Sequence, residues 1–331
     1  MKLKQLFSLA FFMALALSQA KAAGFRTLEL NGDKIGVWYP TDEVATKQRL
    51  GPFDAEFALN AQPKAGKWPV VFLSHGNGGY FRNHHLTGEF LADAGFIVIA
   101  PNHKADHLIG GEKTAGAIAY RVEELRRGLE TVKADKVLGA YVDTNKINAV
   151  GYSLGTVSVM VAAGSGIDME KVDSHCKKYG VEDKVFCEVP DLLTNVVNWI
   201  KKPKIKIPDT PNQFSVEPFV NGFVALVAPI GQGLVFTDKF QAEKVLIFTI
   251  SGDEILQPVY HAEVLARMIP KAKFAGMRTI SGHHFAFIAP FAKRVTDVED
   301  IPVAKDPAGF DRGAFIRKVN GQILKFFLSH D

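Results

Sequence analysis

Gly151-Tyr152-Ser153-Leu154-Gly155 follows an apolar run at residues 147–150 and precedes a second apolar stretch at 157–163. A strand that turns sharply into a helix at a serine lifts the hydroxyl clear of the sheet. Such a turn is crowded, so the positions two before and two after the serine must be very small. Gly151 and Gly155 meet that demand, which makes Ser153 a candidate nucleophile. A serine hydroxyl is a weak nucleophile at neutral pH. It needs a histidine to take its proton and an acid to orient and charge-balance that histidine.

The chain offers both partners in the order expected with such a turn. Ser251-Gly252-Asp253-Glu254 follows the apolar run 245–250, and Ser281-Gly282-His283-His284-Phe285 follows the run 274–280. Groups placed just beyond strand carboxyl ends face a common crevice in an open α/β sheet. Asp253 is the candidate acid, with Glu254 in reserve, and a helix cap is its plainer role. His284 is the candidate base, with His283 able to exchange roles with it. Acyl transfer also needs donors aimed at the developing oxyanion. The main-chain N–H of Leu154 is one candidate. The other is that of Asn77, in Ser74-His75-Gly76-Asn77-Gly78-Gly79, where glycines let the backbone approach a substrate oxygen.

Other histidines are weaker candidates. His103 and His107 lie four apart around Asp106, but the glutamate of a zinc-protease helix is missing, so no metal site is expected. His84-His85 reads as a surface pair at a helix start. No cofactor is expected.

The elements that must carry these residues alternate between strand and helix. Residues 25–30 and 35–39 flank Asn31-Gly32-Asp33 as a hairpin, and residues 41–68 read as loop. Runs at 70–73 and 96–100 have the continuous apolar character of strands buried on both faces. Helices are expected at 81–94, 118–132, 258–268 and 310–328, and further strands at 147–150, 223–227, 245–250 and 274–280. The 118–132 helix shows a charged face of Arg121, Glu123, Glu124, Arg126 and Arg127, taken as exposed. Asp143-Thr144-Asn145-Lys146 reads as a turn. The predicted fold class is α/β, a mostly parallel sheet with helices on both faces. Residues 165–215 break the pattern and read as an insertion over the carboxyl edge of the sheet, a candidate lid, with one amphipathic stretch at 192–200.

Composition limits the function classes. Residues 1–22 look like an export signal: Lys2 and Lys4, an apolar run at 6–17 too short to span a bilayer as a helix, then Ala20-Lys21-Ala22. That reading implies an exported chain, periplasmic or secreted, with one domain over 23–331. Removing Lys2, Lys4 and Lys21 takes the formal charge from +4 to +1. A near-neutral chain gives no basis for nucleic-acid binding, and the basic run at 201–206 reads as a solvated linker. The two cysteines, Cys176 and Cys187, could form one bridge in an oxidising compartment or remain two buried thiols.

Taken together, these residues resemble the α/β-hydrolase superfamily, and more narrowly the dienelactone-hydrolase-like group that includes platelet-activating-factor acetylhydrolases. The narrower likeness rests on Val37-Trp38-Tyr39-Pro40, Phe72–Gly79, Ala100-Pro101-Asn102-His103, the Ser153 motif, Ser251-Gly252-Asp253 and His284-Phe285-Ala286-Phe287. It spans residues 25–328 apart from the 165–215 insertion. The resemblance implies metal-free hydrolysis of an ester through an acyl-enzyme, with a small or lipid-like ester as partner. It departs from the group's pattern at Tyr152, where histidine is frequent, at Thr156, where glycine is common, and at Lys104-Ala105. Two other classes stand beside it: the same triad acting on a thioester, amide or polyester, and a non-catalytic binding module. An intact triad and Ser153 motif disfavour the last.

Overall fold

The computed structural model describes residues 23–104, 115–188 and 210–329. The chain opens with β1 (Ala23–Leu30) and β2 (Asp33–Pro40), an antiparallel hairpin. Its turn places Asn31 and Gly32 at φ 52° and 74°, the doubly left-handed geometry that a twisted two-residue hairpin needs. Next come β3 (Thr46–Leu50), β4 (Phe53–Leu59), β5 (Trp68–Ser74), β6 (Ile97–Ala100) and β7 (Val142–Tyr152). The remaining strands are β8 (Gly166–Asp168), β9 (Gln213–Phe214), β10 (Phe223–Val227), β11 (Leu234–Val235), β12 (Lys244–Gly252) and β13 (Phe274–His283). Ten strands form one sheet in the order β13-β12-β10-β7-β5-β6-β2-β1-β4-β3, and β11-β8-β9 form a small second one. From β13 to β6 every pairing is parallel, so the carboxyl ends of six strands share one edge.

Side-chain alternation divides the core between the two faces of this sheet. Val70 and Phe72 of β5 meet Val122, Leu125 and Leu129 of the Ala115–Ala134 helix on one face. Val71 and Leu73 meet Leu91 of the His85–Asp93 helix and Ile316, Val319 and Ile323 of the Arg312–Phe327 helix on the other. Strands covered on both sides must be apolar throughout, and β10 is buried at all five positions.

Four expectations are corrected. Residues 41–68 hold two strands: β4 buries Phe53, Ala55 and Phe57 while Asp54 and Glu56 face water, and polar β3 closes the sheet as a charged edge. The turn expected at 143–146 lies inside β7, where its pairing with β5 slips between Pro69 and Val70. The helix expected from Pro258 begins at Ala262. His261 has non-helical angles there, and its side chain reaches Asp183. Finally, Arg121 and Glu124 are buried, not on the exposed face of their helix. They fall within the apolar stripe of Ile118, Val122 and Leu125, and their partners are polar groups at the end of β5 and beyond β6, described below.

In the insertion, Asp168 caps the Met169–Tyr179 helix, accepting from the Glu170 N–H at 3.1 Å. Cys176 and Cys187 form a disulfide. The Asp183 carboxylate between them accepts from His175 (2.8 Å) and from His261 of the core (3.0 Å). Burial pushes the Asp183 carboxyl up, but the His261 and His175 hydrogen bonds outweigh it and hold it below its ordinary value. The amphipathic stretch at 192–200 and the basic run at 201–206 lie outside the described residues. Among the described residues, no helix is long and apolar enough to cross a membrane.

Candidate active site

β7 ends at Tyr152, and the Leu154–Ala162 helix starts two residues later. Ser153 lies between them at φ 50°, ψ −122°, a conformation that an L-residue adopts only under strain. Its N–H is fixed to the Val227 carbonyl of β10 at 3.0 Å. The glycines on either side are required by contact. A Cβ at Gly151 would lie 2.6 Å from Thr156 Cα, and one at Gly155 would fall on the Ser74 carbonyl. Thr156, one of the departures from the group's pattern, donates to the Ser153 carbonyl at 2.6 Å and accepts from the Ile230 N–H at 3.2 Å. It ties the turn to the segment that follows β10.

Beyond β12 and β13, the structure brings Asp253 and His284 together. His284 Nδ1 lies 2.9 Å from both carboxylate oxygens of Asp253, and both residues are buried. The pairing of β12 with β13 breaks register between Ile250 and Gly252, the kind of irregularity that re-aims side chains at strand ends. Asp253 also accepts from the N–H groups of Ile255 (3.0 Å) and Leu256 (2.7 Å). The turn-capping role and the histidine-holding role thus belong to one carboxylate. Glu254 reaches only the main-chain N–H of His284, at 3.4 Å. His283 turns the other way and donates to Asp306 at 2.8 Å, a carboxylate also held by Arg312 Nε at 2.9 Å.

Tyr152 links the two halves of the site. Its hydroxyl donates to the His284 carbonyl at 2.9 Å, and the two rings lie 5.4 Å apart. Burial holds the Tyr152 phenol well above its ordinary range, so it remains a donor. Ser153 Oγ makes no hydrogen bond with any described residue. With Nδ1 donating to Asp253, His284 Nε2 is the ring nitrogen left for proton exchange. A serine–histidine contact commonly tightens only once substrate is bound.

The loop after β5 packs directly on the turn, since a Cβ at Gly76 would come within 3.1 Å of Ser153 Cβ. Asn77 follows Gly76, and Gly78 takes φ 67°. Leu154 supplies the first amide of its helix, a group with no intrahelical acceptor. Behind this loop is a polar cluster that the sequence reading did not foresee. Ser74 Oγ and His103 Nε2 are 2.8 Å apart, and His103 Nδ1 is 3.2 Å from Glu124. Arg121 donates to Ser158 Oγ at 2.8 Å and to the His75 carbonyl. The available signal was spacing: residues 121 and 124 are three apart, and 121 and 125 are four apart, on one helix face.

His84 and His85 are likewise buried rather than a surface pair. His84 Nδ1 lies 3.0 Å from the Phe287 carbonyl, and its ring stacks near Tyr152 and Phe287. Burial pushes the His84 imidazole down to about 4. His85 pairs with Glu89 at 2.8 Å. Their apolar neighbours, Phe53 and Phe287, come from distant parts of the chain. Of the conceivable His103 metal group, Asp106 and His107 lie outside the described residues, and His103 is engaged with Ser74 and Glu124. Among the described residues, one group has metal-ligand spacing: His175, Asp183 and Cys187. The Cys187 sulfur is in the disulfide, so it is not the thiolate a metal would need.

Residues 57–208 match the family model of the dienelactone hydrolase family. With that match laid on a parallel sheet whose Ser153 turn sits between β7 and a buried helix, the fold is decided. It is the α/β-hydrolase fold. The matched stretch, just under half of the chain, holds the Asn77 loop, the Arg121 helix and the Ser153 turn. It ends before the strands that carry Asp253 and His284. No curated protein matches the chain. The family match supports a hydrolase and suggests a small-molecule substrate.

Proposed function

We propose that this α/β-hydrolase cleaves a carboxylic ester, small or lipid-like, through an acyl-enzyme on Ser153. The observation that carries the proposal is the His284–Asp253 pair, held at 2.9 Å and tied by Tyr152 to the strand that presents Ser153. Ser153 Oγ attacks the ester carbonyl carbon while His284 Nε2 takes its proton. The carbonyl π electrons move onto oxygen, where the N–H groups of Asn77 and Leu154 donate to the oxyanion. Collapse of the intermediate breaks the bond to the alcohol, which leaves with the proton from His284. Water then gives a proton to His284 and attacks the acyl carbon. The acid departs, and the proton returns to Ser153. Asp253 orients the imidazole and balances its charge throughout.

The chemistry needs no metal or cofactor. Residues 23–331 are proposed to act as one hydrolase domain, and the segment 165–215 as an insertion beside the site. Export to the periplasm or medium is also proposed. It is supported by the lysine-led apolar start of the chain and by the Cys176–Cys187 bridge, which suits an oxidising compartment.

A fluorophosphonate probe with peptide mapping tests the nucleophile, and label at Ser153 is the expected result. Hydrolysis of p-nitrophenyl acetate, butyrate and palmitate, set against matched amides, tests the bond type. Ester cleavage that survives Ser153→Ala would remove the mechanism, and faster amide cleavage would replace the ester assignment.

A further inference from the structure

The loop that presents Asn77 contains a hydrogen-bond pattern that a neutral histidine cannot satisfy. His75 is 1% exposed. Its Nδ1 lies 2.7 Å from the Gly76 carbonyl oxygen, and its Nε2 lies 2.9 Å from the Asn102 carbonyl oxygen. A carbonyl oxygen only accepts, so each contact requires an N–H on the ring. A neutral imidazole has one N–H, and the imidazolium has two. We infer that His75 is held as a buried imidazolium and is the positioning residue that fixes the Asn77 main-chain N–H in the oxyanion hole. Its charge follows from the two carbonyls alone. Its role in positioning rests on the serine-hydrolase reading above.

The positioning argument runs through one peptide plane. In a trans peptide the N–H points opposite to the preceding C=O, and the described chain has no cis peptide bond. Orienting the Gly76 carbonyl therefore orients the Asn77 N–H. That carbonyl is gripped twice, by His75 Nδ1–H and by the Gly79 N–H at 3.2 Å. Residue 79 must be glycine for this grip, because a Cβ there would lie 2.7 Å from His75 Nδ1. The preceding carbonyl, that of His75 itself, accepts from Arg121. The far end of the ring is just as firmly seated. Asn102 donates to Asp33 at 2.9 Å and accepts from the Phe81 N–H at 3.1 Å.

The titratable and charged groups around His75 agree with a cation there. His103 faces it, with ring centroids 4.8 Å apart, and bonds Glu124 through Nδ1. Ser74 Oγ accepts from Arg121 at 3.4 Å and pairs with His103 Nε2 at 2.8 Å. Arg121 and Glu124 offset one another on one helix, and Asp33 lies beyond Asn102. Charge-assisted bonds to both carbonyls offset the cost of burying the imidazolium. Fixed behind the loop, that charge also favours an oxyanion in front of it.

The decisive measurement is a long-range 1H–15N spectrum of the full wild-type chain labelled with 13C and 15N, with the His75 ring assigned through bonds from its own backbone amide. Two protonated ring nitrogens on His75, unchanged from about pH 6 to pH 9, are expected. One unprotonated ring nitrogen at neutral pH would overturn the inference. His75→Leu should lower kcat on p-nitrophenyl butyrate about 10²-fold, the loss typical of one oxyanion donor, with KM within about twofold. A rise in KM at unchanged kcat would overturn the positioning role. Failure of the wild type to label at Ser153 would overturn the catalytic setting but leave the charge on His75 to the spectrum.

Discussion

Two serine–histidine–carboxylate arrangements lie within this one fold. Ser153, His284 and Asp253 gather at the carboxyl edge of the sheet. Ser74, His103 and Glu124 sit beneath the Asn77 loop. Residue types do not distinguish them, and the histidine–carboxylate contacts are alike: His103 and Glu124 are 3.2 Å apart, and His284 and Asp253 2.9 Å. What differs is commitment. The Ser74 hydroxyl is paired with His103 and accepts from Arg121, and Ser74 and His103 are wholly buried. Ser153 keeps 9% exposure and an uncommitted hydroxyl on a turn at φ 50°. The deeper set spends its hydrogen bonds on a closed network of side chains. The outer set leaves the Ser153 hydroxyl unengaged by any described residue. A constellation of catalytic residue types acquires chemistry only where its nucleophile is presented and unsatisfied.

The largest effect should separate the two serines. Ser153→Ala is expected to lower kcat/KM on p-nitrophenyl butyrate by 10⁴ or more, whereas Ser74→Ala should stay within about tenfold of wild type. Equal losses would erase the distinction. The carboxylates come next. Asp253→Asn should cost about 10⁴ in kcat by disfavouring the required tautomer, and Glu254→Gln should stay within about threefold. A reversal of those two would move the acid to Glu254. The inner cluster should report chiefly in stability. Arg121→Met breaks a buried charged network, so a denaturant titration should show a loss of about 3–5 kcal/mol. The folded fraction should still label at Ser153. An unchanged midpoint would mean that the inner cluster holds nothing together.

The smallest expected effect concerns His84, which packs against Tyr152 at the outer site. Its folded value of about 4 lies below the 6.5 of an exposed imidazole. The unfolded chain therefore takes up a proton first as pH falls. Stability is complete above pH 6.5, declines below it, and has lost about 3 kcal/mol by pH 4. Melting curves of His84→Phe should be flatter across that window. Equal slopes for variant and wild type would show that His84 charges freely in the fold.

Much of the outer site was legible because its signals are local. Gly151 and Gly155 bracket Ser153 within five residues, and Asp253 and His284 each follow a recognisable strand. Which histidine turns inward depended on the irregular pairing of β12 with β13, which no short window contains. The inner cluster was illegible for a related reason. Arg121 and Glu124 read as a charged face because charge usually seeks water, yet their partners, His75 and His103, come from other strand ends. His84 and His85 were misplaced in the same way, since Phe53 and Phe287 cover them from far along the chain. Residues 41–68 yielded no strands because β3 is polar at an edge, where sequence resembles loop.

The bond from the Tyr152 phenol to the His284 carbonyl has a mechanical meaning. The turn bearing Ser153 and the segment bearing His284 belong to chain regions more than a hundred residues apart. One hydroxyl stitches them together. Exchange of Tyr152 for phenylalanine would keep the aromatic packing yet cut the stitch, leaving two well-formed halves that meet less often.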